Sequence, residues 1–589
     1  MSSSPFLSGK EPQSAFTSSS SLVAGTPLFR SIGRDSTHSF SSETPYSHYA
    51  SSGSGIAEKF SLSPDPSRWG TNLSPEFAEA DDDMHNPSDL TDGKTSGSSF
   101  ITMRGLTNLG CLVLLAIGII CLFAVYPILS FAGVVSSSSL NGYNLGLNAS
   151  GQVPDIGNFG LIDNDTPAWA YTKTSWEDGT EMQLVFSDEF ETDGRTFYPG
   201  DDPYWEAVDL HYWATNNLEW YDPAAVTTSN GSLVISLSEK AEHGLDYQGG
   251  MIQTWNKFCF TGGYIETSVI LPGASNIVGL WPAVWTMGNL GRAGYGSTLD
   301  GTWPYTYDSC DVGTVANQSV NGVPAAASIN GDTAVDGVLS YLPGQRLSRC
   351  TCPGESHPGP VHSDGTYVGR SAPEIDMFEA QVSDDSGQVS QSAQWAPFNA
   401  AYIWYNTTEN EQIYNTTLSY QNTYSGGSTQ QATSVVTTTD QNCYQENEMC
   451  YSVYGYEYKP GFDDAYITWI SDNKTSWTLR AAGMAADTAT EIAARPVPQE
   501  PMYILANLGM SYNFGSVDLA DIIFPAKMYV DYIRVYQKPD SLNIGCDPTD
   551  FPTAAYINEY IEAYNNPNLT TWVDDFGQTV PKNSFLGEC

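Results

Sequence analysis

The sequence predicts an all-β fold: an antiparallel β-sandwich with long loop insertions, preceded by a disordered tail and one transmembrane helix. Three observations carry this expectation. Short runs rich in Val, Ile, Tyr, Phe and Trp recur between turn residues from about residue 171 onward. No helix-period segment alternates with them, which argues against a parallel α/β sheet. Ahead of them, Leu109 to Val135 runs for 27 residues without a charge, long enough to cross a bilayer with some tilt.

The first 105 residues contain 26 Ser among scattered Pro and Gly and show no hydrophobic periodicity, so they read as disordered. The apolar run lies too deep in the chain for a cleaved signal peptide. This divides the chain into a cytoplasmic tail (1–105), a transmembrane helix (106–135), a stalk (136–170), a sandwich (171–538) and a C-terminal extension (539–589). Orientation follows from charge, since Lys94 and Arg104 precede the span and the next basic residue is Lys173. Glycosylation sequons agree: Asn148, Asn164, Asn230, Asn317, Asn406, Asn415, Asn473 and Asn568 follow the span, and Asn72 alone precedes it. The expectation is a type II protein of the secretory pathway (ER or Golgi) or plasma membrane, with its large domain luminal or extracellular.

Eight cysteines follow the span: Cys259, Cys310, Cys350, Cys352, Cys443, Cys450, Cys546 and Cys589. An even number in an oxidising compartment predicts disulfides, in a connectivity that spacing leaves open. Cys350-Thr-Cys352 has no CxxC partner and no clustered His, so neither a metal nor a cofactor is expected. Of the formal net charge of −44, the tail carries little: beyond it stand 16 basic and 55 acidic residues. Such a domain is repelled by nucleic-acid phosphates and anionic lipid, and a neutral glycan is the easier partner. Aromatic residues, 12% of the chain, stack well on sugar faces, although acidity also serves to keep a secreted domain soluble.

Expected strands are Gln183–Phe190, Ser232–Leu237, Gly263–Leu271, Gly279–Met287, Glu374–Ala380, Ala400–Trp404, Ala465–Ile470, Met502–Leu508 and Lys527–Tyr536. Residues 311–372 and 406–450 read as polar surface insertions. Thr553–Tyr564 reads as one helix in a tail tied onto the domain.

Chemistry concentrates in Glu374-Ile-Asp376-Met-Phe-Glu379. Glu374 and Asp376 share a face of a strand, whereas Glu379 at i+5 falls on the other. A β-bulge at Met377–Phe378 adds one residue and restores the phase. Three carboxyls on one sheet face repel one another, a costly arrangement unless chemistry uses it. A retaining glycosidase needs two such groups, one as nucleophile and one as acid/base. The bare pattern arises about once by chance in a chain this acidic, and a solvated acidic strand explains it equally well.

Further segments accompany it. Glu374–Glu379 resembles the bulged active-site strand of glycoside hydrolase family 16, the laminarinase-like retaining β-glucanases. Asn216-Asn217-Leu-Glu219-Trp-Tyr221, Trp281-Pro-Ala-Val-Trp285 and Tyr529-Val-Asp531-Tyr-Ile-Arg534-Val-Tyr536 resemble that family's cleft motif, sugar-platform strand and closing strand, in its order. Trp255-Asn-Lys257-Phe-Cys259, Gly291-Arg292-Ala-Gly-Tyr295 and Gln391-Ser-Ala-Gln394-Trp395-Ala-Pro-Phe398 narrow the likeness to a fungal group of type II membrane proteins associated with cell-wall β-1,6-glucan synthesis. The resemblance implies a concanavalin-like jelly roll, a β-glucan ligand and partners among wall-synthesis proteins. It implies Glu374 as nucleophile, Glu379 as acid/base and Asp376 as their tuner. It also implies sugar contacts at Trp281 and Trp285, and at Asn217, Glu219, Trp255 and Trp395, although Trp in a sandwich more often fills the core; Arg292, in a Gly-flanked loop, either orients a sugar hydroxyl or pairs with a neighbouring acid. One departure stands out: family 16 hydrolases often carry a His on the next strand, where this chain has Ser-Ala-Gln394-Trp395. Two functions follow, a retaining transglycosidase or hydrolase, and a glucan-binding scaffold that supports a synthase.

Overall fold

The computed structural model describes residues 160–589, together with Leu115. The tail, the rest of the expected span and the stalk to residue 159 lie outside the described residues. Among those described, no helix is long and apolar enough to cross a membrane.

Two large sheets face one another. One runs in the order Thr172–Thr174, Glu181–Asp188, Ala526–Gln537, Gly263–Ile270, Ser452–Lys459, Tyr466–Ser471, Lys474–Arg480, Glu411–Ile413. The other runs Ser419–Gln421, Gln430–Thr438, Ser386–Trp395, Glu374–Ser383, Trp281–Gly288, Met502–Gly509, Tyr247–Gln253, Glu219–Tyr221, Leu210–His211. Neighbours along both paths are antiparallel apart from Glu219–Tyr221 against Tyr247–Gln253. The core between the sheets takes Ile375, Met377 and Phe378 from one side and Ile265, Ile533, Trp469 and Trp477 from the other. Trp469 and Trp477 lie stacked with ring centroids 4.2 Å apart. Burying this apolar surface, at about 25 cal/mol per Å², is what holds the two sheets together.

Eight of the nine expected strands form, within a few residues of the expected bounds. Ala400–Trp404 does not: Ala400–Tyr402 is a 3₁₀ turn in which Ala401 and Tyr402 take left-handed φ of 55° and 56°. The insertion expected over 406–450 contains Gln430–Thr438, a strand buried along almost its whole length. Its Thr and Val residues suit a pleated surface, and its polar side chains find hydrogen-bond partners there. The 311–372 stretch is irregular yet anchored, since Leu339 and Leu342 pack with Tyr305 and Phe398. The expected single helix is two, Ala554–Glu559 and Ile561–Asn565. Four disulfides form: Cys259–Cys546, Cys310–Cys350, Cys352–Cys589 and Cys443–Cys450. The first and third fasten the C-terminal extension at both ends.

Candidate active site

The strand Glu374–Ser383 lies inside its sheet, between Trp281–Gly288 and Ser386–Trp395. Asp376 pairs with Ser392 and Glu379 with Ser390, so Gln391 alone opposes both Met377 and Phe378. On the other side the register slips between Val284 and Trp285. This is a β-bulge at the expected place, and its cause is apolar. Ile375, Met377, Phe378 and Ala380 all enter the core, so two adjacent side chains point inward and the next residue returns to the open face. Gln391 clasps the bulge. Its Nε2 donates to Met377 O at 3.0 Å and to Ile470 O of the opposite sheet at 2.9 Å. Glu374, Asp376 and Glu379 therefore line one cleft of about 790 Å³, counting its opening to solvent, with Trp281, Trp285, Trp303, Tyr212, Asn217 and Asn507 around them.

Each carboxyl has its own donor. Trp303 Nε1 donates to Glu374 at 2.6 Å and Trp281 Nε1 to Glu379 at 3.1 Å. Asp376 accepts from Ser392 Oγ at 2.7 Å and Gln394 Nε2 at 3.0 Å. Burial pushes all three groups up. Glu374 is raised well above the ordinary range by burial and then by the charges of Asp376 and Glu379, against the opposing Trp303 donor. Glu379 is likewise raised, by burial and then by Asp376. Asp376 rises less, to about 6, because its two side-chain donors favour the anion. Three carboxyls so placed share protons at neutral pH, which sets a neutral acid beside a charged one. A chemical site of this kind needs both.

A profile of the family described as beta-glucan synthesis-associated protein SKN1/KRE6/Sbg1 matches residues 71–589. The chain belongs to this family. It is 41% identical over 531 residues to the beta-glucan synthesis-associated protein KRE6 of Candida albicans, across 87% of this chain and 68% of that one. To the KRE6 protein of Saccharomyces cerevisiae it is 42% identical over 524 residues, across 87% and 69%. Among solved structures, the catalytic domain of an endo-1,3-beta-glucanase (laminarinase) from Thermotoga petrophila is 19% identical. It covers 61% of this chain and 98% of its own, with a TM-score of 0.35.

In this member of the SKN1/KRE6/Sbg1 family the expected site residues divide. Trp281 and Trp285 line the cleft; Trp281 stacks on Phe514 with centroids 4.2 Å apart, and Trp285 Nε1 donates to Asn507 at 2.8 Å. Asn217 lines it too and is held from beneath by Glu219, whose Oε1 accepts from Asn217 Nδ2 at 2.6 Å. Glu219 is fully buried and burial lifts its carboxyl to about 7, so it braces the floor and does not face the cleft.

Besides Glu219, three further residues expected to touch sugar stand away from the cleft. Trp395 is fully buried among core residues, because Gln394 faces the cleft and the next residue of a strand faces the other way. Its Nε1 donates to Thr433 Oγ1 at 2.9 Å. Trp255 lies under the C-terminal extension, stacked on Tyr564, with Nε1 donating to Asn289 O. Arg292 sits over that Trp255 ring, donates to Tyr564 O at 2.7 Å and pairs with Glu206 at 2.7 Å. Its charge is met by Glu206, and its NH1 holds the extension through Tyr564 O and Asn565 Oδ1.

Several lining residues escaped the sequence reading: Trp303, Tyr212, Tyr221 and Asn507. Trp303 sits among irregular residues 71 positions before Glu374, and no spacing rule reaches across such a segment. Tyr221 and Asn507 had a usable signal, since Tyr221 ends the Asn216–Tyr221 motif and Asn507 alternates with core residues of the strand Met502–Gly509.

Proposed function

We propose that this domain is a β-glucan-active retaining enzyme that transfers or hydrolyses glucosyl chains in fungal wall β-1,6-glucan formation. The observation that carries the reading is the bulge, which brings Glu374, Asp376 and Glu379 together on the cleft face, each with a separate donor. Glu379, kept neutral by burial, protonates the leaving glycosidic oxygen. Asp376, the charged partner at rest, takes the proton from Glu374, and the freed Glu374 carboxylate attacks the anomeric carbon. Glu379, now anionic, removes the proton from an incoming water or sugar hydroxyl, which displaces Glu374 and releases the product. Trp281 and Trp285 hold the sugar by stacking, and a held acceptor competes with water through its high effective concentration. That competition favours transfer.

The same reading places the domain on the luminal or extracellular side of a type II membrane protein, beside other wall-synthesis proteins. All seven sequon asparagines among the described residues are exposed, as attached glycans require. The test supplies the full chain with a β-1,3- or β-1,6-gluco-oligosaccharide donor and excess acceptor, and compares wild type with Glu374→Gln by product mass. Longer products that vanish in the variant support transfer, and shorter ones alone support hydrolysis. Glucan binding without turnover in either protein replaces the enzyme by a scaffold.

A further inference from the structure

The C-terminal extension reaches the cleft through one intermediate segment. Trp303, whose indole N–H meets Glu374, ends the short stretch Gly296–Trp303, and this stretch is gripped from outside by the extension. Ser297 N donates to Leu569 O at 2.9 Å, and Trp572 N donates to Asp300 Oδ2 at 2.8 Å. Arg346 completes the clamp. Its Nε donates to Asp300 O at 3.0 Å and its NH2 to Thr298 O at 3.1 Å, while its NH1 donates to the Tyr556 hydroxyl at 2.7 Å. The same guanidinium lies 3.5 Å from the centroid of Trp572. A flat cation stacked on an indole and hydrogen-bonded on its edge holds both partners in one geometry. Trp303, Leu299, Tyr556 and Trp572 share one apolar cluster, and no residue of the extension itself lines the cleft.

We propose that the C-terminal extension is a positioning element of the active site: through Trp572 and Arg346 it sets Trp303 against Glu374. The proposal rests on the reading of Glu374 as a site carboxylate and adds a role for residues 546–589, which that reading leaves idle. The indole N–H is the donor that favours the charged form of Glu374, against the burial and the charges of Asp376 and Glu379. With the clamp loosened, the donor drifts from its 2.6 Å seat and Glu374 keeps its proton to higher pH. Trp303 and Trp572 are thus positioning residues acting on a carboxyl that neither replaces chemically.

The test reads Glu374 directly and needs no turnover, so failure of the enzyme reading leaves it intact. Full-length protein is treated at a series of pH values with a water-soluble carbodiimide and glycinamide, which capture protonated carboxyls. Modification of Glu374 is then quantified by peptide mass. Trp303→Phe is expected to raise the pH at which Glu374 becomes protected by about one to two units. Trp572→Ala is expected to shift it the same way by a smaller amount, and the double variant no further than Trp303→Phe alone. Arg346→Lys, which keeps the charge but loses the stack and the fork, is expected to follow Trp572→Ala and decides the matter if that variant does not fold. Folded extension variants with the wild-type midpoint overturn the proposal. So does a double-variant shift equal to the sum of the two single shifts, since independent effects cannot pass through one contact.

Discussion

Replacing Gln391 by Leu tests whether the bulge is held by its clasp. Gln391 is fully buried; its Nε2 serves Met377 O and Ile470 O, and its Oε1 accepts from Ser476 Oγ at 2.5 Å. Leucine fills nearly the same volume but answers none of these groups. Ser476 keeps a second acceptor in Trp469 O at 3.3 Å, so the main loss is two buried carbonyls left without this donor. Each costs about 1–3 kcal/mol, and the added apolar burial returns roughly 1 kcal/mol, which leaves a net loss of about 3 kcal/mol. The site suffers more than the fold. Without the clasp the strand is free to flatten, which carries Glu379 out of phase with Glu374, and a displacement near 1 Å costs about 100-fold in rate. Urea unfolding of the purified protein gives the first quantity, and the rate of product formation from gluco-oligosaccharide in the proposed reaction, without denaturant, gives the second. A variant that unfolds within about 0.5 kcal/mol of wild type and retains full activity refutes the argument.

The remaining predictions concern charge, packing and topology. Asp376 is raised in the folded state from 3.8 to about 6, so its buried charge lowers stability as pH climbs through that window. Asp376→Asn should therefore gain stability over wild type at pH 7, on the order of 1–3 kcal/mol, and show no gain at pH 3; an equal gain at both pH values defeats the linkage. Trp395→Ala should cost about 3–5 kcal/mol of stability as a core cavity, while glucan affinity measured on the folded fraction stays unchanged. Selective loss of affinity would return Trp395 to the cleft. Peptide mapping without reduction should recover the four observed disulfides, and a Cys259 peptide linked to anything but Cys546 contradicts the fastening of the extension. In sealed microsomes, external protease should remove about the first hundred residues and spare a glycosylated fragment, as a cytoplasmic tail requires. Digestion of the larger part reverses the orientation.

The sandwich was legible because its strands announce themselves locally: a pleat has period 2, and β-branched and aromatic runs between turns mark it without knowledge of partners. The bulge was legible for a related reason. Glu379 follows Glu374 by five positions, an odd offset, and only an added residue returns the second carboxyl to the first one's face. Periodicity failed where polarity misled. Gln430–Thr438 reads as loop because polar residues such as Gln431 and Thr433 are satisfied by neighbours distant in the chain, Gln431 by Arg495 and Thr433 by Trp395. Tryptophan was the hardest residue to read. Trp281, Trp303, Trp395 and Trp255 are alike in sequence, yet the first two donate to carboxyls of the cleft, the third fills the core and the fourth lies beneath the extension.

By itself the sequence determined the kind of fold, the one segment able to assemble three carboxyls, and the family to which the chain belongs. All three depend on residues near one another along the chain or on patterns that relatives share. Tertiary structure decided which donor serves which carboxyl, how the eight cysteines pair, and that Arg292 and Trp255 bind the C-terminal extension. Apart from Cys443–Cys450, seven positions apart, those outcomes turn on contacts between segments tens to hundreds of residues apart, Cys259 with Cys546 across 287 positions among them. No local propensity encodes such contacts; they follow only when burial of the whole core selects one packing of the chain.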